Sequence, residues 1–390
     1  MTDTAPAATP KPQYIIVGVA IAALAILAPQ AGSGGYLSPA LMIVGAALGM
    51  VLYHAAFGFT AAYRRWFVHG DRRGVRAQLI MLAAATLLFA PTLGAGEIFG
   101  HAANGIYAPI GLRLLIGAFL FGVGMQLGGG CGSGTLFTAG GGSLRMVITL
   151  VFFCAGSLWA TLDMTFWQGL PAWRSVSLMQ EFGWMTAAGG QLCFIGLLYW
   201  WLRQGRGEPV ITTGSRGNLL HTVLAGPWPM IAGALLLAGL NWLTLALAGH
   251  PWTVTWGFAI WGAKSAVLLG WDPATSVFWS GDYTRLVLEQ GILTDHASIM
   301  DIGILTGAMT AAALAGQFRP TLRIPARSLA AAILGGLMLG YGARVGFGCN
   351  IGAFFSGVAS MSLHGWVWIL AALAGCWTGI RLRPWFGLAN

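Results

Sequence analysis

Apolar stretches of about 20 residues, the length that crosses a bilayer, recur around positions 14–30, 36–53, 77–93, 107–126, 145–162, 183–202, 226–249, 300–317, 327–341 and 363–380. The segments between them are short, polar and rich in Gly, Pro and Arg. That alternation predicts an all-α polytopic membrane protein, because a helix satisfies its own backbone in hydrocarbon. A shorter run at 252–270 and the Gly-rich loops beyond residues 126 and 341 read as re-entrant pieces. Residues 1–12, small and polar with three prolines, read as a disordered tail before a retained first helix. They lack the basic region and small-residue site of a cleaved signal.

The pattern also repeats. A shift of 218 positions superimposes Gly122 on Gly340, Gly124 on Gly342, Gly128 on Gly346, Gly130 on Gly348, Cys131 on Cys349, Gly134 on Gly352 and Phe137 on Phe355. Seven identities in sixteen positions point to duplication. Each copy follows an apolar segment of helix length, so one Gly-Cys turn is built twice. Such breaks expose backbone groups that lipid cannot satisfy and survive only where protein or a polar path surrounds them.

Composition supports the membrane reading: 57% of residues are hydrophobic and 8% charged, against roughly 25% charged in a soluble domain. The net charge of +9 does not point to nucleic acid, because the basic residues cluster between apolar runs as the positive-inside rule places them. Arg64, Arg65, Arg72, Arg73 and Arg76 mark one cytoplasmic loop, Arg203, Arg206 and Arg216 a second, Arg319, Arg323 and Arg327 a third, and Arg381 with Arg383 the C-terminus. Asp272, Asp282, Glu289, Asp295 and Asp301 mark an outer segment. The helix after Arg76 then runs outward and its repeat partner near Asp301 runs inward. This predicts two inverted repeats, 13–203 and 226–390, joined by a cytoplasmic linker at 204–225, with both termini in the cytoplasm. In transporters of that design the substrate binds where the repeats meet.

Five cysteines occur, with neither C-x-x-C spacing nor Cys/His clustering, so zinc and thioredoxin-type chemistry have nothing to rest on. Cys154, Cys193 and Cys376 lie inside apolar helices, where free cysteine packs as a small hydrophobe. Cys131 and Cys349 stand apart. Gly130, Gly132 and Gly134 surround the first, and Gly348, Asn350 and Gly352 the second. Glycine lets a ligand reach backbone N–H groups, helix N-termini beyond each turn favour negative charge, and a neutral thiol suits a soft sulfur or selenium atom. The pattern therefore selects a small anion with a soft end. Close helix packing is the competing explanation of the glycines, but packing alone does not require matched cysteines. Arg113, Lys264 and Arg344 are charges within or beside apolar segments, which makes them functional candidates. Arg344, five residues before Cys349, leads, although Gln126 is its repeat partner; snorkelling competes for Arg113 and Lys264. His54 and His101 are candidates for proton relay, and Trp261 for lining the path. No P-loop, dinucleotide fingerprint or H-E-x-x-H occurs. No cofactor is predicted and the chain does not read as an enzyme.

The sequences Phe121-Gly-Val-Gly-Met-Gln-Leu-Gly-Gly-Gly-Cys-Gly-Ser-Gly-Thr-Leu and Gly340-Tyr-Gly-Ala-Arg-Val-Gly-Phe-Gly-Cys-Asn-Ile-Gly resemble the paired signature of YeeE/YedE membrane proteins, a sulfur-transport family that includes thiosulfate importers. The resemblance covers the chain from about residue 36 onward. It implies an hourglass-shaped helical fold with re-entrant helix-loop-helix elements, and an anion passed along central thiols, with Cys131 and Cys349 as two of them. Gly58 stands where the thiosulfate-importing members carry a third thiol. A sulfur carrier of the TusA type is not fused to the chain, so it would act as a separate partner.

The sequence is thus expected to encode an inner-membrane importer of a small sulfur-containing anion, thiosulfate first among candidates. Cys131 and Cys349 would contact the sulfur, Arg344 or backbone N–H groups would hold the charge, and Asn350 would support the second turn. Two other readings stay open: a membrane sulfurtransferase carrying a cysteine persulfide, which needs a thiolate of low pKa, and a channel or binding subunit that needs a partner.

Overall fold

The structure, a computed structural model, describes residues 11–31, 37–204 and 219–390. The tail up to residue 10 and the linker positions Arg206 and Arg216 lie outside the described residues. Helices α1 (Tyr14–Leu27), α2 (Leu37–His54), α3 (Phe59–His69) and α4 (Arg73–Ala95) lead to a short hairpin, β1 (Glu97–Ile98) and β2 (His101–Ala102). After β3 (Pro109–Gly111) come α5 (Leu112–Gly128), α6 (Gly132–Gly140), α7 (Leu144–Leu162) and α8 (Met164–Gln168). Strand β4 (Ala172–Ser175) pairs antiparallel with β3, followed by α9 (Leu178–Phe182), α10 (Trp184–Arg203), α11 (Leu219–Ala225) and α12 (Met230–Ala248). The remainder comprises α13 (Thr255–Leu268), α14 (Asp282–Glu289), α15 (His296–Leu314), α16 (Ala326–Val345), a π-helical turn over Asn350–Phe355, α17 (Ser356–Ala359) and α18 (Leu363–Leu382).

Among the described residues, nine helical stretches are long and apolar enough to cross a membrane, and Tyr14–Gln30 forms a shorter apolar one. Each apolar run read from the sequence coincides with one of these ten. The short run at 252–270 becomes α13, of 14 residues, and the two Gly-Cys loops become the joints between α5 and α6 and between α16 and the π-helical turn.

At the centre α5 packs on α16, α18 on α5 and α7 on α16. Glycine spacing explains the closeness of these crossings. A Cβ at Gly117 or Gly346 would strike the other's backbone, and one at Gly335 would strike that of Gly128. A Cβ at Gly124 would come 2.7 Å from the Leu339 nitrogen, and one at Gly342 2.6 Å from the Phe121 nitrogen. The partner number falls as the residue number rises, so α5 and α16 run antiparallel, and the 218-residue shift exchanges the two members of each contact. The flanking helices repeat the device: Gly122 lies against the backbone of Ala372 and Cys376 on α18, and Gly340 against that of Phe153 and Ser157 on α7. Symmetric long-range contacts of this kind point to an internal repeat. Helices α2 against α15 and α12 against α4 complete the flanks.

Close backbone approach is the main driving contact between helices in lipid, where no hydrophobic effect separates apolar helix from apolar solvent. Gly122→Leu and Gly340→Leu are therefore expected to destabilise the protein by about 1–3 kcal/mol or more through overpacking. Gly239→Leu, on a face of α12 with nothing within 4 Å, should leave the thermal midpoint of the detergent-solubilised protein where it was. Equal midpoints for all three variants would show that the glycines do not set the packing.

Candidate functional site

Both cysteines sit at helix starts. Cys131 is the residue before α6, and its Sγ accepts the Gly134 N–H at 3.4 Å. Cys349 precedes the π-helical turn, and its Sγ accepts the Ile351 N–H at 3.4 Å. A thiol has one proton and lone pairs, so a sulfur already used as acceptor keeps its S–H free to donate. Cys131 Sγ also lies 3.5 Å from the Ser133 hydroxyl. Both thiols are buried, and among the described residues no cationic side chain bonds to either.

The two turns meet. A methyl group placed on Gly132 would lie 3.1 Å from Cys349 Sγ and 3.3 Å from Val254. Only the missing side chain allows the second sulfur against the first turn. Gly130 packs on the start of α6, where a Cβ would come 2.9 Å from the Thr135 nitrogen. Gly348 has φ 144° and follows Phe347 at φ 65°, a conformation that is uncommon outside glycine and concentrates at functional sites. Gly352 has open space where its side chain would be. Asn350 is fully buried with both amide atoms unpartnered.

A cavity of about 300 Å³ reaches this joint, lined by Ile106, Thr253, Thr255, Trp256, Tyr283, Arg344, Phe347, Gly348 and Gly352. Arg344 is half-buried, its guanidinium 5.2 Å from the Trp256 ring centre and its Nη1 shielded from water without a partner. A charged donor with a spare N–H beside an open glycine turn is suited to an anion. At the far end of α6 a second cavity, about 380 Å³, is lined by Thr138, Ser143, Arg145, Arg319, Arg323 and Ser328 among others. Cationic groups thus line both cavities, and such clustering raises local anion concentration.

Arg113 and Lys264, the other intramembrane charges, are occupied. Arg113 Nε donates to the Val345 carbonyl at 3.1 Å and caps the C-terminus of α16, where cations are favoured. Arg145 does the same for α5, donating to Leu127 and Gly128 carbonyls at 2.7 and 2.6 Å. Lys264 donates to the Leu288 carbonyl at 2.7 Å and ties α13 to the end of α14. His101 lies exposed on the β1–β2 hairpin, and His54 packs on Trp228 with ring centres 5.2 Å apart. Trp261 spends its N–H on the Ser298 hydroxyl at 3.0 Å.

Other helices add groups that sequence spacing did not single out. Tyr63 of α3 is buried near Asn350, and its hydroxyl closes no well-formed hydrogen bond. Cys376, which reads from sequence as ordinary core, stands beside Gln126. Gln126 donates to the Thr60 carbonyl at 3.3 Å and leaves its Oε1 unpartnered, as is the Thr60 hydroxyl. Arg344, Asn350, Tyr63, Gln126 and Thr60 thus each hold a buried polar atom without a partner. Gly58, at the start of α3, has no atom nearer than 4.0 Å to a would-be Cβ and lines a small cavity with Arg65 and Gln78.

Comparison with known proteins agrees with this architecture. Residues 54–378 match the family described as Sulphur transport. The thiosulfate transporter TsuA of Spirochaeta thermophila is 26% identical over 359 residues, covering 86% of this chain and 96% of that protein. TsuA of Escherichia coli is 24% identical over 88% of this chain and 94% of its own length. The probable transporter YedE of Escherichia coli is 32% identical over 163 residues, 41% of this chain and 39% of YedE. These relatives are named as transporters, and this chain has several helices long and apolar enough to cross a membrane. The chain belongs to the sulphur transport family of YeeE/YedE-like inner-membrane proteins.

Proposed function

We propose that the protein imports a small sulfur-containing anion, thiosulfate first among candidates, along the line Arg344, Cys349, Cys131. The observation that carries the reading is the meeting of two turns that each hold a buried thiol accepting a backbone N–H, with a cavity that reaches Gly348 and Gly352 of the second turn and is lined by Arg344, whose Nη1 has no partner. The anion would trade Arg344 for one S–H after another, each hydrogen bond worth about 1 kcal/mol net, which is enough to guide and too little to trap. Helix starts at both turns add positive dipole ends toward the same point. The antiparallel α5–α16 contact supports two halves inverted across the bilayer, 13–203 and 226–390, with Cys349 reached from outside and the arginines of the second cavity facing the cytoplasm, where a separate sulfur-carrier protein could collect the product.

Uptake into liposomes that contain this protein alone is the test. Radiolabelled thiosulfate should enter, with unlabelled thiosulfate competing far better than sulfate, which lacks the soft sulfur. Entry only when a second protein is added would make the chain a subunit, and a persulfide on Cys131 or Cys349 found by mass spectrometry would make it a sulfurtransferase.

A further inference from the structure

Asp301 lies in the second turn of α15, fully buried, and neither carboxylate oxygen has a hydrogen-bond partner. The facing residue on α13 is Gly257, where a Cβ would come 2.7 Å from Oδ2, so the neighbouring helix is cut back to admit the acid. Cys349 of the anion turn and Cys154 of α7 are within its electrostatic reach, and so is Asp295 at the outer end of the same helix. The 218-residue shift places Ala83 at the equivalent position. The repeat frame therefore folds without this acid, and only one half carries it.

We propose that Asp301 is the proton-binding group of a proton-coupled uptake cycle. The inference rests on the sulfur-anion reading of the same site. A carboxylate buried in a membrane core with no side-chain or backbone partner persists only when neutralised. A proton from the outer water does this, converting the carboxylate to the acid, and leaves again when Asp301 meets the inner solvent. The ionised form repels an anion at Cys349 and the acid does not. Anion and proton therefore favour each other's binding, and that linkage is reciprocal.

His250, His296 and Asp295 supply a route from outside. The His250 and His296 rings stack at 5.9 Å beside Asp295, which accepts the Ser298 N–H at 2.7 Å. Burial pushes the Asp295 carboxyl above the usual carboxylate range, against the pull of the Ser298 N–H. The other elements against α15 offer little competition. Helix α6 has no titratable side chain, α1 only the exposed Tyr14, α11 the exposed His221, α2 Tyr53 and His54 at its opposite end, and α13 Lys264, which is held by the Leu288 carbonyl.

Protein-only liposomes with radiolabelled thiosulfate and an internal pH dye test the cycle. An acid-outside gradient should drive accumulation at least tenfold above that at equal pH, with the interior acidifying as thiosulfate enters. Asp301→Asn, which mimics the acid in shape, should lose accumulation and acidification while still exchanging thiosulfate at equilibrium; Asp301→Glu should restore part of both. Accumulation by the wild type that ignores the proton gradient, or follows a sodium gradient instead, overturns the proposal, as does accumulation by Asp301→Asn. Absence of exchange in either direction would overturn the sulfur-anion reading and the coupled cycle with it. Dicyclohexylcarbodiimide needs no substrate and attacks buried protonated carboxyls. It should label Asp301 in wild-type membranes, less as pH rises, and failure to label at any pH overturns the proton site by itself.

Discussion

Cys131→Ala and Cys349→Ala are each expected to cut thiosulfate uptake at least tenfold while the protein still folds and inserts. A buried path offers the anion no water, so each lost S–H leaves a step at which nothing replaces the hydrogen bond given up, and the whole desolvation penalty appears in the barrier. Folding should survive because a Cys→Ala change removes one sulfur atom and one weak helix-start bond at 3.4 Å. Cys131→Ser and Cys349→Ser keep a donor but exchange a soft atom for a hard one. They should retain part of the flux and lose discrimination against sulfate. Cys193→Ala is the control, because Cys193 is exposed on α10. Wild-type uptake by both alanine variants would remove the thiols from the path and leave them as helix-start residues.

The division between what the chain revealed and what it concealed follows from distance along the sequence. Helix lengths, the duplicated turn and the glycine positions depend on local hydrophobicity and on one offset, so they could be read directly. Even the antiparallel α5–α16 crossing lies in those glycines, since a Gly stripe at helical spacing marks the face that another backbone will touch. Tyr63 and Cys376 have no such mark, and Asp301 reads in the sequence as one more acid of a polar segment although it is buried inside α15. Each is a single residue on an apolar helix, and only packing brings α3, α18 and α15 to the two turns. Arg113 shows the converse. Its charge within an apolar segment was legible, but the partner, the Val345 carbonyl, is more than two hundred positions away, so capping, snorkelling and substrate binding could not be separated beforehand.

Arg344→Gln is expected to raise the thiosulfate concentration for half-maximal uptake by about ten- to a hundredfold, with a smaller effect on the maximal rate. A charge-assisted hydrogen bond in a partly dry site contributes about 1.5–3 kcal/mol, and each 1.4 kcal/mol is a factor of ten in binding. Nothing else lining the cavity supplies positive charge: Trp256, Tyr283, Thr253 and Thr255 are neutral donors or ring faces. Arg344→Lys separates charge from geometry. Lysine keeps the cation but loses the planar fork that spans two oxygens and stacks on Trp256, so its half-saturation should fall between wild type and Arg344→Gln. High salt should narrow the gap between them, because screening weakens the charge and leaves the thiol steps alone. The ring contact adds a check, since Trp256→Leu removes the face 5.2 Å from the guanidinium without removing charge and should give a shift smaller than that of Arg344→Gln. If Arg344→Gln instead lowers the maximal rate and leaves half-saturation untouched, the guanidinium acts after binding, and the anion must be captured by the backbone N–H groups of the Cys349 turn.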